Sequence, residues 1–259
     1  MKGILLVGYG SREPDAAETM AMQADNLSKI RSEKVYTAFY RVNTPSIPDA
    51  MKQIASDGVD ELAVVPLLIS DSSMTSEIIP GAIGIEGNKG EVEVDGKKVK
   101  VVMSGAIGTD DGVPALFCDM IEKYGGKSDT PILFIGHGSK DNKNPDTVRA
   151  AGEAVMKAGY SDVTVCFNEF NTPTVEEAFA HALGNAKDGL ILALPMFIAD
   201  GVHLKKDIPP KIGIAVDTSE GVVEHDGVKV KVIRTPSIGQ AEYFCKVISA
   251  RADSIFKQF

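Results

Sequence analysis

"ILLVGYGSR" (residues 4–12) and "ILFIGHGSK" (residues 132–140) are two copies of one pattern. In each, an unbroken apolar run ends in Gly-x-Gly-Ser and a basic residue. An apolar run without alternation is what a strand buried on both faces requires, and such strands belong to parallel sheets. Tyr9 in the first copy stands against His137 in the second, an offset of 128 residues (137 minus 9). The same offset pairs "NTPSIPDAM" (43–51) with "NTPTVEEAF" (171–179). One inserted residue later, "VVPLLISDSSMTSEIIP" (64–80) pairs with "ALPMFIADGVHLKKDIP" (193–209). Two more insertions align "VDGKKVKVV" (94–102) with "HDGVKVKVI" (225–233). Solenoid repeats run to about 20–50 residues, so a period near 130 reads as a duplicated domain. The polar, turn-rich "KYGGKSDTP" (123–131) marks the junction, giving domains at 1–126 and 127–259.

Each half alternates strands with helices. Residues 3–8, 34–40 and 62–68 read as strands of the first half, and 132–136, 162–167 and 189–196 as those of the second. Helical spacing of apolar residues covers 13–30, 147–158 and 172–183. A further helix is expected to start at Thr44-Pro45, with Thr44 as its cap and Pro45 in its first position. The stretch "VEVDGKKVKVV" predicts a hairpin with an Asp-Gly turn. The fold class is therefore α/β: two similar doubly wound domains with mainly parallel sheets. Ligands of such sheets bind at the carboxyl ends of the strands.

Composition narrows the function. The chain of 259 residues is 44% hydrophobic and 24% charged, ordinary for a globular protein with a sizeable core. Its net charge of −9 argues against nucleic acid as a partner. No apolar run approaches the ~18–20 residues of a membrane span, so no membrane partner is expected. The chain opens directly on a strand-like segment without a signal peptide, and the expected compartment is the cytoplasm. Cys118, Cys166 and Cys245 are far apart and form no CxxC pair, which excludes a disulfide framework and a zinc cage from the reading. No GxGxxG or Walker motif occurs, so no nucleotide is expected.

Three consecutive strands of the second half end near His137, Glu169 and His203. Imidazole with carboxylate suits divalent cobalt, nickel, iron or zinc, and both groups can accept protons near neutral pH. The matching first-half residues are Tyr9, Arg41 and Met74. The surrounding turns persist while all three functional groups are replaced, the pattern of a duplicated fold with one live site. His181, inside a helix, and His225, beside the Asp-Gly turn, read as surface residues, and Cys166 as core. Ser139, Lys140, Lys205 and Lys206 flank the histidines, and Arg12 and Arg41 belong to the corresponding first-half turns. These bases are candidates for a polycarboxylate-binding rim. Asp200 and Asp207 are candidate partners of the site.

"LFIGHGSK", "FNEFNTPTVEEAF" and "LPMFIADGVHLKKDIP" resemble the motifs of sirohydrochlorin chelatases, the ATP-independent class II tetrapyrrole chelatases. The resemblance is strongest over residues 131–239 and weaker over the first half. It implies a chelatase-like fold of the long, two-domain form with a cleft between the domains, acting as a monomer or homodimer. It implies insertion of Co²⁺, or of Ni²⁺ or Fe²⁺, into sirohydrochlorin, with the metal as substrate. Carried over by motif, the ligand histidines are His137 and His203 and the acidic partner is Glu169. Substrate-binding roles are expected for Ser139, Lys140, Lys205 and Arg12. Some long forms carry their histidines in the first half, and their position here leaves the metal open. Two other readings stand beside this one: a metal or tetrapyrrole carrier, and an unrelated enzyme using His137 as a general base.

Overall fold

The first apolar run forms the strand Lys2–Gly8 (β1), in a computed structural model that describes residues 1–259. Its interior residues Ile4 to Val7 have no solvent exposure, because helices cover both faces of the sheet. Lys34–Phe39 (β2) and Glu61–Pro66 (β3) pair with β1 in parallel, one on each side. Lys97–Met103 (β5) adds in parallel to β3, and Lys89–Val94 (β4) closes the edge antiparallel to β5. The order is thus β2-β1-β3-β5-β4. Ile132–Gly136 (β6), Val163–Phe167 (β7), Leu190–Pro195 (β8), Glu220–His225 (β9) and Val228–Arg234 (β10) repeat it as β7-β6-β8-β10-β9. The predicted hairpin is present, and the second half carries its counterpart. Asp95-Gly96 and Asp226-Gly227 take positive φ at both central positions, the backbone of a tight type I′ turn.

The helices are Asp15–Ile30 (α1), Ile47–Ser56 (α2), Ile79–Ile83 (α3), Val113–Lys123 (α4), Lys143–Lys157 (α5), Val175–Asn185 (α6), Ile208–Lys211 (α7) and Phe244–Phe256 (α8). Helix α2 does not begin at Thr44-Pro45. Phe39 N–H donates to the Pro45 carbonyl at 3.0 Å, and a parallel bridge joins Phe39 to Ser46. Ser46, which carries that bridge, is extended, so the helix starts after it. Ser46 becomes the cap, accepting from the Asp49 N–H, and Pro48 falls in the first turn. In the second half Phe167 bridges Thr174 in the same way. Thr174 then forms a capping box with Glu177, so α6 starts three residues later than the spacing predicts.

One face of the first sheet packs Leu5, Val7, Leu62, Val64 and Val101 against Ile47, Met51 and Ile54 of α2. The corresponding face of the second packs Leu133, Ile135, Ile191 and Val232 against Val175, Ala178 and Phe179 of α6. On the opposite faces the compact units part company with the sequence repeats. One unit comprises Met1–Asp110 with Glu242–Phe259, and the other Asp111–Ala241. Helix α8 therefore completes the first sheet, packing against β3 and α1. Helix α4, which follows the first sheet in sequence, packs against α5 in the second unit, where Phe117 meets Phe134 edge-on at 4.5 Å.

Candidate metal centre

In the second unit the chain passes from β6 outward to β7, then back across β6 to β8. Strand direction of growth reverses between β6 and β8, and such switch points open a crevice at the carboxyl ends of the strands. His137 follows β6 directly, Glu169 lies two residues beyond β7, and His203 starts a π-helical turn, His203–Asp207, after β8. One donor atom from each of the three lies within 4.8 Å of the others. The sequence-predicted trio is therefore one cluster at one rim.

The local backbone explains how. Gly138 has φ +87°, and a Cβ there would stand 1.9 Å from the Glu169 carbonyl oxygen. Only glycine lets the β6 loop press this closely on the β7 loop. Glu169 N–H in turn donates to the His137 carbonyl at 3.0 Å. Asn171 Oδ1 accepts the Ser139 N–H at 2.8 Å, and Asn144 Oδ1 accepts the Gly138 N–H at 2.9 Å. The two imidazoles sit edge to face, ring centres 4.8 Å apart at 83°. His137 Nδ1 lies 2.9 Å from the Gly138 carbonyl oxygen. His203 Nδ1 lies 2.6 Å from Asp207 Oδ2, 3.3 Å from Asn168 Nδ2 and 4.0 Å from Glu169 Oε1. Both histidines are half-buried, so a bound cation keeps access to solvent and to a second ligand.

Other expected residues fall as follows. Ser139 spends its hydroxyl on Asp141, through both the main-chain and side-chain oxygens. Lys140 is exposed, with Nζ 5.9 Å above the Phe170 ring. Lys205 is on the His203 turn, half-buried. Arg12 is exposed in the matching turn of the first unit and forms no ion pair. Asp200 caps the Ser237 N–H at 2.7 Å and pairs with buried Arg234, so it serves the scaffold. His181 is exposed on α6, and His225 lies beside Asp226 at its turn. Cys166 is fully buried, and burial pushes its thiol up to about 12.

Three participants were not anticipated from the sequence. Phe170, 60% exposed, and Phe197 bring their rings within 6.4 Å and 6.1 Å of His137. Asn144 holds the glycine turn. Each differs from its counterpart in the first half, Val42, Leu68 and Ala16, and that contrast is the signal in the sequence.

The first unit keeps the scaffold without the donors. Gly10 presses on the Arg41 carbonyl as Gly138 does on that of Glu169, and Asn43 accepts the Ser11 N–H at 2.7 Å. Met74, in the place of His203, is buried in the core. The Arg41 guanidinium stacks over the Tyr9 ring at 4.3 Å, so two of the replacements satisfy each other.

Comparison with known proteins gives a consistent family. The CbiX family model matches twice, over residues 3–124 and 131–255. A probable sirohydrochlorin cobaltochelatase of Halobacterium salinarum is 24% identical over 230 residues, 81% of this chain and 76% of that protein. A sirohydrochlorin cobaltochelatase of Methanococcoides burtonii is 34% identical over 134 residues, 51% of this chain and 97% of the relative. Among solved structures, SirB from Bacillus subtilis with Fe³⁺ superimposes with a TM-score of 0.73 at 18% identity, covering 100% of this chain and 98% of its own. SirB from Bacillus subtilis subspecies spizizenii in complex with cobalt gives 0.70 at 16% identity, over 98% and 94%. These two establish likeness of fold.

Proposed function

The chain belongs to the CbiX family of sirohydrochlorin chelatases, and on that premise we propose that it inserts Co²⁺ into sirohydrochlorin without ATP. Ni²⁺ and Fe²⁺ are the competing ions. The observation that carries the reading is the gathering of His137, Glu169 and His203 at one switch point, with no equivalent at the matching rim of the first unit. The live repeat is 127–259, and 1–126 is its duplicate without metal donors.

Metal insertion must strip water from the ion and remove two pyrrole protons from the macrocycle. Two neutral imidazoles hold the ion through nitrogen and leave coordination positions for the pyrrole nitrogens. Glu169, within reach of both histidines, adds the negative charge that attracts a dication and a site that accepts a released proton. M–N bond formation drives the reaction, so no nucleotide is required. The exposed Phe170 ring beside His137 offers a flat apolar surface to the macrocycle, and Lys140 above that ring offers charge to its carboxylates. Lys205 and the Ser139 loop are the further carboxylate contacts of this reading. A reducing, cytoplasmic setting belongs to this reading, with Cys118, Cys166 and Cys245 unpaired.

The test is anaerobic spectrophotometry of sirohydrochlorin with Co²⁺, Ni²⁺ and Fe²⁺ supplied separately. Wild type, His137→Ala and His203→Ala are compared with enzyme-free blanks. Multiple turnovers by wild type and blank-level rates in both variants are expected, and the relative rates rank the metals. Stoichiometric binding without turnover would replace the chelatase by a carrier. Turnover that survived loss of both histidines would overturn the site.

A further inference from the structure

Both histidines have their Nδ1 engaged, but by different groups. His137 meets a backbone carbonyl, and His203 meets the carboxylate of Asp207 at 2.6 Å. The π-helical turn places the two residues on one face. Ile208 N–H reaches back to the His203 carbonyl five residues earlier, so the turn is wider than an α-turn. The residue four positions on falls back nearly beneath the first, which brings the carboxylate within reach of Nδ1.

We infer that Asp207 is a positioning residue: it accepts the Nδ1–H of His203 and fixes the tautomer in which Nε2 alone is basic and faces a divalent ion. This rests on the reading of His203 as a ligand. A competing partner exists. The Asn168 amide nitrogen lies 3.3 Å from the same Nδ1, and if it donated, Nδ1 would have to be unprotonated. The carboxylate is closer by 0.7 Å (3.3 minus 2.6) and charged. Charge-assisted hydrogen bonds are roughly twice as strong as neutral ones, so Asp207 decides the proton. Glu169 is 4.0 Å from Nδ1, too far to compete as an acceptor, and stays available to the ion.

The duplicated half supplies an internal contrast. There His203 is replaced by Met74, Asp207 by Ile78 and Asn168 by Tyr40. The fold retains the same π-helical turn, Met74–Ile78, without either polar group. The turn therefore does not need the carboxylate for its geometry. Where the imidazole is absent, so is its acceptor. A ligating imidazole whose other nitrogen donates to a carboxylate is held in orientation and made more basic, and removing the carboxylate typically costs 10–100-fold in metal affinity.

The experiment uses the full chain labelled with ¹⁵N-histidine. Four histidines give few enough signals to assign by single substitution. Imidazole ¹⁵N shifts, read without metal at pH about 8.5 where unperturbed histidines are neutral, report the tautomer of His203. Co²⁺ affinity is measured in parallel for wild type, Asp207→Ala and Asp207→Asn, with thermal unfolding as the control for folding. Wild type is expected to show the Nδ1–H form. Asp207→Ala should move His203 toward Nε2–H and weaken Co²⁺ binding about 10–100-fold. Asp207→Asn, whose amide oxygen still accepts, should keep the Nδ1–H form with a smaller loss. A wild-type His203 in the Nε2–H form would overturn the inference. So would a folded Asp207→Ala that keeps the wild-type tautomer and affinity. A tautomer that follows Asp207 in a protein whose wild type binds no Co²⁺ would uphold the positioning role and strike the metal reading instead.

Discussion

Replacing Gly138 by alanine puts the closeness of the β6 and β7 loops to a quantitative test. Two costs are legible in the geometry. The first is conformational: at φ +87° an L-residue pays about 1–2 kcal/mol. The second is steric. The new Cβ would lie 1.9 Å from the Glu169 carbonyl oxygen, and a real Cβ needs about 3 Å, so the loops must part by about 1 Å. Together these give a destabilisation of about 2–4 kcal/mol, or a melting point lower by about 5–15 °C for a domain of this size. The same parting separates His137 from Glu169. Metal sites tolerate about 0.2 Å in a ligand distance, so about 1 Å removes one donor. Co²⁺ affinity should then fall by at least the 10–100-fold that loss of an outer partner costs. Gly10→Ala is the matched control. Its Cβ would meet the Arg41 carbonyl oxygen at 1.8 Å, at φ +90°, in the unit that lacks the donors. It should lower the melting point as much and leave Co²⁺ affinity unchanged. Thermal unfolding by circular dichroism and Co²⁺ titration calorimetry check both. An unperturbed Gly138→Ala, or a Gly10→Ala that loses Co²⁺ affinity equally, would refute the reasoning.

Four further outcomes are expected. Phe117→Ala removes a fully buried ring packed on Phe134 and should cost about 3–5 kcal/mol in denaturant unfolding; a cost below about 1 kcal/mol would mean that α4 does not hold the second unit. Thr174→Ala deletes the capping box of α6 and should cost about 1 kcal/mol, more than the same change at an uncapped surface threonine. Cys166, buried and with its thiol raised to about 12, should resist a disulfide reagent at neutral pH until the protein unfolds; native-state labelling at that residue, located by mass spectrometry, would contradict its burial. Burial by itself raises the Glu33 carboxyl, but hydrogen bonding and charge from Arg31 at 2.6 Å outweigh it and hold it below the ordinary value. The stability this contributes is present above the unfolded value, about 4.3, and disappears as pH falls through the folded one. Arg31→Met should therefore flatten the acid limb of a melting-point profile, and a limb as steep as wild type's would count against the pair.

The strands were legible because both faces of each central strand are covered, and nothing but an unbroken apolar run survives there. Ile4 to Val7 and Ile132 to Ile135 illustrate this. The starts of α2 and α6 were displaced from the sequence reading. The bridges from Phe39 and Phe167 join residues in different elements, and no local propensity records them. The cluster was legible for an unusual reason. The chain carries its own control, so His137, Glu169 and His203 stood out against Tyr9, Arg41 and Met74 on a shared scaffold. Asn144 escaped notice because it acts on a backbone N–H, and Phe170 because a lone aromatic residue between Asn168-Glu169 and Asn171-Thr172 carries no periodic signal of its place. The assignment of α4 and α8 was illegible in principle. An amphipathic helix encodes that it must cover an apolar surface, and does not encode which of two similar sheets.

That exchange of helices bears on how the protein comes off the ribosome. The first sheet has all its strands once residue 103 has emerged, yet the helix that covers one of its faces begins at Phe244. Until then the surface that meets Phe244, Ile248 and Ile255 stays open, while the whole second unit is synthesised. The second unit is under no such delay, since residues 111–241 are contiguous. Order of synthesis and order of completion are therefore reversed: the half with the His137, Glu169 and His203 cluster closes first. The waiting half meanwhile exposes apolar sheet, the kind of surface that drives aggregation during folding.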